Sequence, residues 1–183
     1  ATRGIWLGNE KPEFYEYRPR VIENRLRHIG GSAIVVHAYS ATVERNIGEN
    51  LLWSGIKVVA PRDADGTTRL VDNRLRGTGG SRYSGGGIQL GSEFGNRETI
   101  IVENNILDGD IDSGIYVARG PVTGRFVKNT IRNSPQAGIS LLSTTRDLLV
   151  QDNRIEGDRR GKQGIRLIAD RGVEIQGVVI AGN

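Results

Sequence analysis

The chain has 183 residues, enough for one domain with a substantial core. Its 25% charged and 37% hydrophobic residues place it among soluble folded proteins, and no apolar run approaches the ~20 residues a membrane-spanning helix needs. The absence of cysteine excludes disulfides, thiolate metal sites and thiol nucleophiles.

Net charge is +4, and 21 of the 25 basic residues are arginine. Arginine grips carboxylates and phosphates in bidentate fashion, which suits a polyanionic partner. The same charges also suit a well-solvated surface, because 21 acidic residues accompany them. Glycine is abundant, 26 of 183 residues, and sits at segment edges, which signals many turns. The chain starts at Ala1 with no signal peptide, as expected of a processed or excised chain.

In chain order, two kinds of short segment alternate. GIWL (4–7) is followed by VIEN (21–24), AIVV (33–36) by VERN (43–46), and GIKV (55–58) by LVDN (70–73). GIQL (87–90) then precedes IVEN (101–104), GIYV (114–117) precedes FVKN (126–129), and GISL (138–141) precedes VQDN (150–153). GIRL (164–167) and IAGN (180–183) close the series. Aligned on Asn24, Asn46, Asn73, Asn104, Asn129, Asn153 and Asn183, the period runs 22, 27, 31, 25, 24 and 30 residues, the range of one solenoid coil. The core NRLR recurs two coils apart, in VIENRLRHIGG and LVDNRLRGTGG.

Both segments alternate apolar and other residues with period 2, so they read as short strands, and no window carries a helical period. The variable stretches between them, such as 61–68 and 77–87, read as loops. An asparagine between two sharply turning strands tolerates a left-handed backbone. Stacked coil on coil, its amides can bond in a continuous ladder, as buried amides require. The residue two after it is usually apolar (Leu26, Leu75, Ile106, Ile131, Ile155) and starts the next inward strand. The expected fold is all-β: a parallel solenoid of about seven coils, roughly 30 Å long at ~4.8 Å per coil. The asparagine ladder is expected at the turn between second and third strands.

The doubled markers resemble the right-handed parallel β-helix of the pectate-lyase-like superfamily. They are similar to the carbohydrate-binding and sugar-hydrolysis repeats of alginate epimerases and polysaccharide lyases. The resemblance covers Gly4 to Asn183 and implies one β-helix domain over 1–183. Neither end shows a helix or polar segment to cover the last coil, so the chain is expected to be a section of a longer solenoid, or to pack end to end or laterally against other protein; the alternative is that the loop Gly8–Arg20 folds back as a cap.

The resemblance also implies a ligand groove along the GIxL strands. Alternation then fixes which residues face out. The first outward column is Trp6, Val35, Lys57, Gln89, Tyr116, Ser140 and Arg166; the second is Gly8, His37, Val59, Gly91, Ala118, Leu142 and Ile168. Lysis or epimerisation of a uronate polymer needs a base for the C5 proton, a cation beside the enolate, and an acid. Tyr116, Lys57 and His37 are the catalytic candidates. Trp6, Gln89, Arg119, Ser140 and Arg166 are the substrate-binding candidates. The bland alternative is a solvated sheet face, and the small, aliphatic second column favours it.

In DGDIDSG, Asp108, Asp110 and Asp112 alternate in a pattern that can hold calcium, although aspartates also populate turns. No other cofactor is evident. The basic run GDRRGKQGIR (157–166) suits a polyanion or an exposed loop. Glu23 with Arg25, Asp72 with Arg74, and Asp152 with Arg154 read as outward charge pairs. The signature motifs expected of alginate epimerases, polygalacturonases and chondroitinase-B-like lyases are absent, as is a Walker loop.

Two functions follow as expectations. One is an extracellular polysaccharide-active enzyme, a lyase or epimerase of an acidic polymer. The other is a non-catalytic solenoid on a cell or virion surface, such as a section of a phage tailspike, fibre, adhesin or filament. An acidic polysaccharide is the expected partner, and neither nucleic acid nor a membrane span is.

Overall fold

A computed structural model describes residues 4–8, 16–60, 65–77, 86–92, 98–109, 113–119, 122–142, 145–157, 163–168 and 175–183. These residues form parallel strands wound into a solenoid, with no helix among them. No helix among them is therefore long and apolar enough to cross a membrane.

Three sheets run along the solenoid axis. The first stacks Ile5–Leu7, Ile34–Tyr39, Ile56–Ala60, Gly86–Ser92, Ser113–Arg119, Ala137–Leu141 and Gln163–Leu167, with Glu16–Tyr17 paired beside Ile34–Tyr39. The second stacks Arg20–Ile22, Thr42–Glu44, Thr67–Val71, Thr99–Glu103, Val122–Val127, Thr145–Gln151 and Ile175–Gln176. The third stacks Arg25–Ile29, Ile47–Leu51, Arg74–Arg76, Ile106–Asp108, Thr130–Arg132 and Arg154–Glu156. Each coil visits the sheets in that order. Seven full coils are not formed among the described residues: the third sheet has six strands, and Val179–Ala181 joins the second sheet instead.

The alternation of each strand sends Ile, Val and Leu inward, where Ile34, Ile56, Ile88, Ile115 and Ile139 of the first sheet are fully buried. Leu70, Val102, Phe126 and Val150 meet them from the second sheet, and Leu75, Leu107 and Ile131 from the third. Glycine marks the corner between third and first sheets because space runs out there. A Cβ at Gly55 would stand 2.6 Å from Cδ1 of Leu75 and 2.7 Å from the carbonyl oxygen of Gly87.

At the corner between second and third sheets, asparagine amides bond coil to coil. Asn24 donates to Asn46 Oδ1 (2.9 Å), Asn46 to Asn73 (3.0 Å), Asn73 to Asn105 (3.0 Å) and Asn105 to Asn129 (3.0 Å). Asn129 donates to Asn153 (2.9 Å), and Asn153 to Asn183 (2.8 Å). Each acceptor oxygen also takes the backbone N–H of the preceding asparagine, as Asn105 Oδ1 takes that of Asn73 at 3.0 Å.

Three expectations are corrected here. The fourth member of the stack is Asn105, not Asn104, so Leu107 and not Ile106 is the inward residue two positions on. The left-handed residue is the one before each stacked asparagine: Glu23, Arg45, Asp72, Asn104, Lys128 and Asp152 have φ between 52° and 59°, and Gly182 has 64°. Stacking leaves the asparagine itself no freedom, so its solvent-facing neighbour makes the turn. Finally, Glu23 pairs with Arg45 of the next coil at 2.8 Å rather than with Arg25. Parallel stacking brings side chains of neighbouring rungs into reach.

Candidate functional site

The outward face of the first sheet aligns the candidates rung by rung. Trp6 pairs with Val35, Val35 with Lys57, Lys57 with Gln89, Gln89 with Tyr116, Tyr116 with Ser140 and Ser140 with Arg166. Lys57 and Tyr116 therefore stand two rungs apart, ~9.6 Å at the backbone, with Gln89 between them. All three are partly exposed. Gln89 is held by Ser54, whose hydroxyl donates to Oε1 at 2.9 Å. Gly86 clears room beneath Tyr116, since a Cβ there would lie 3.0 Å from the tyrosine Cβ. Arg166 is partly exposed, and its guanidinium donates to Gln136 Oε1 at 3.4 Å.

Other candidates stand apart from this line. His37 is only 4% exposed and stacks under the Trp6 ring, centroids 5.6 Å apart and planes 15° apart. The Trp6 indole N–H donates to the Gly8 carbonyl at 2.9 Å, which fixes the ring against His37. His37 lies on the coil before Lys57, two residues along its strand from Val35, and is not brought to Tyr116. Ser140 is in line but buried at 1% exposure, so only its edge meets solvent. The Arg119 backbone pairs with Gly91 after a register shift at Leu90, which breaks the second column there.

Asp108 ends a strand of the third sheet and accepts from Asn133 Nδ2 at 2.8 Å. Asp110 and Asp112 lie outside the described residues, as do residues 158–162 of the basic run 157–166. Among the described residues no group of three carboxylate or histidine side chains could hold a metal ion. A hollow of about 510 Å³ is separate from the first sheet's outer face. Ile155, Ile165 and Ile180 line it, so it is the uncovered inner face of the last coil.

Among the described residues one buried carboxyl stands out that sequence reading missed. Glu98, with no exposed surface, stands at the corner between first and second sheets. Its Oε1 accepts from the Ser40 backbone N–H and from the Thr68 hydroxyl, both at 2.6 Å, and Thr68 in turn accepts from the Ala41 N–H at 2.9 Å. Burial pushes the Glu98 carboxyl above its ordinary value, against the pull of the Thr68 and Ser40 bonds. In sequence, SEFGNRETI reads as a charged turn. Only the stacking of coils 58 residues apart encloses it.

The pattern of three stacked parallel sheets, wound in one direction around an aliphatic core, matches a known family. The family described as the right handed beta helix region aligns with residues 21–155, well over half the chain. The chain belongs to this right-handed β-helix family. No curated protein and no solved structure matches it. In this β-helix the first sheet is the face the resemblance points to, and Lys57, Gln89 and Tyr116 are its central residues.

Proposed function

We propose that this β-helix is an extracellular polysaccharide-active protein that holds an acidic uronate polymer along the outer face of its first sheet. The observation that carries the reading is the unbroken register Lys57–Gln89–Tyr116–Ser140–Arg166. A sugar seated on Gln89 is flanked by an amine and a phenol. One takes the C5 proton, and the other returns a proton. In a lyase that proton goes to the leaving oxygen as the C4–O bond breaks and a C4–C5 double bond forms. In an epimerase it returns to C5 from the opposite face. Arg166, two rungs beyond Tyr116, faces the carboxylate of a neighbouring sugar, and Arg119 is the second cation offered for that role. Trp6 offers a ring edge at the start of the line. Calcium bridging through Asp108, Asp110 and Asp112 would add a further carboxylate contact.

The test is incubation with alginate, pectate, hyaluronan and chondroitin, with and without calcium. Unsaturated products are followed by ultraviolet absorbance, and epimerisation by NMR of the polymer. Silence in every arm, with binding retained, selects the second reading: a non-catalytic solenoid such as a section of a tailspike, fibre, adhesin or surface filament. The burial of His37 under Trp6 favours that reading, because it removes one of three acid–base candidates from the face.

A further inference from the structure

On the second and third sheets of this β-helix, charged outward side chains recur every two coils, not every coil. On the second sheet the register runs Arg20, Thr42, Arg69, Ile101, Arg125, Leu149, so arginine occupies alternate rungs. The adjacent outward column places Glu44 and Glu103 on the rungs between. The third sheet repeats the pattern, with Arg27, Glu49, Arg76, Asp108, Arg132 and Glu156 alternating in sign through six rungs. Parallel stacking in register puts neighbours ~4.8 Å apart, so like charges on successive rungs would repel.

The two sheets dispose of these charges differently. On the third sheet Arg27 meets Glu49 at 2.8 Å and Arg132 meets Glu156 at 2.9 Å, while Arg76 forms no ion pair among the described residues. On the second sheet Arg20 and Arg69 are exposed and form no ion pair among the described residues, while Arg125 reaches Glu103 only at 3.3 Å. Three guanidiniums thus stand in one line, ~9.6 Å between successive members, separated by Thr42 and Ile101.

We propose that this outer face of the second sheet is a binding surface for a linear acidic polysaccharide running along the solenoid axis. An extended glycan with near two-fold twist turns alternate sugars to the same side, and one sugar is close to one strand spacing in length. Its carboxylates on one side then fall on alternate rungs, opposite Arg20, Arg69 and Arg125. Thr42 and Leu149, both half-buried, face the ring between charged contacts, and Ile101 is buried between Arg69 and Arg125 on its rung. A nucleic acid strand fits poorly, because it carries a charge about every 3.4 Å and would meet the Glu44 and Glu103 rungs. No aromatic side chain stands in the line to stack a base. The surface is separate from the Lys57–Tyr116 line and does not rest on its role.

The experiment measures binding of hyaluronan and polygalacturonate across a salt series by isothermal titration calorimetry. It compares the native chain with Arg20→Gln/Arg69→Gln/Arg125→Gln, each also in a Lys57→Ala/Tyr116→Phe background that isolates this surface. All three arginines are exposed, so thermal melts should coincide. Affinity for both glycans should fall about tenfold or more in the triple variant, with a flatter salt dependence. Glu103→Gln, which frees Arg125, should raise it. Unchanged affinity in the triple variant overturns the proposal. Binding of poly(dT) as tight as that of the glycans at the same salt overturns the assignment to polysaccharide.

Discussion

Leu75 fills the space that a side chain at Gly55 would need, its Cδ1 only 2.6 Å from where a Cβ would stand. The two recurring sequence markers, the small residue before each GIxL triplet and the apolar residue after each asparagine, are thus in contact. At Gly55 the third sheet drives a branched side chain into the corner, and a Cβ there would collide with it. Ile131 against Gly114 and Ile155 against Gly138 repeat the arrangement.

This contact makes the same motif position sensitive in one coil and tolerant in another. Gly138→Ala should lower stability by about 1–3 kcal/mol through overpacking against Ile155. At Gly164 nothing lies within 4 Å of an added Cβ, so Gly164→Ala should change stability by less than about 0.5 kcal/mol. Urea melts of the two variants check the contrast.

The adjacent pair Asn104 and Asn105 separates the turn from the stack. Asn105→Ala removes an amide that donates to Leu70, Glu103 and Asn129 and accepts from Asn73. Buried groups on two neighbouring coils lose their partners, at a cost of about 2–4 kcal/mol. Asn104→Gly should be neutral or stabilising, because Asn104 holds φ 56° with its side chain exposed. Equal destabilisation in both variants would place the stack wrongly.

Glu98 links stability to pH. Its folded value is raised by burial, so its contribution is fully present below the unfolded carboxylate value and is lost as pH rises through the folded one. Glu98→Gln keeps an acceptor for Ser40 and Thr68 but cannot ionise. The native chain should lose stability relative to this variant as pH rises above the ordinary carboxylate range, measured by denaturant midpoints. Parallel profiles would show that Glu98 titrates as an ordinary carboxyl.

The third sheet's alternating column offers a test of charge order. Glu49→Arg places cations on three successive rungs with Arg27 and Arg76, and loses the 2.8 Å pair with Arg27. The exposed setting limits the loss to about 1 kcal/mol. The loss should shrink in high salt, which screens exposed charges. A loss indifferent to salt would point to backbone packing instead.

If the first sheet carries lyase or epimerase chemistry, Lys57→Ala and Tyr116→Phe should each reduce the rate about 10²-fold or more. His37→Gln should alter stability more than rate, because the ring is packed beneath Trp6. Full activity in both groove variants would dismiss the Lys57–Tyr116 assignment.

The sequence by itself determined the strand pattern, the parallel stacking and the outward column from Trp6 to Arg166. Period-2 alternation and a recurring turn residue are local signals, and a solenoid repeats them without long-range rearrangement. It also placed NRLR two coils apart. Only the tertiary structure decided the rest. Asn105 rather than Asn104 enters the stack because one residue of slip reverses every side chain, and adjacent asparagines read alike until the coils are in register. His37 lies under Trp6, and Glu98 is enclosed by Ser40 and Thr68, because burial is a property of neighbouring coils. The alternation of Arg27, Glu49, Arg76 and Asp108 becomes visible only when each coil is laid on the next. The two NRLR segments stand two coils apart with Glu49 on the rung between, an order that avoids like charges on successive rungs.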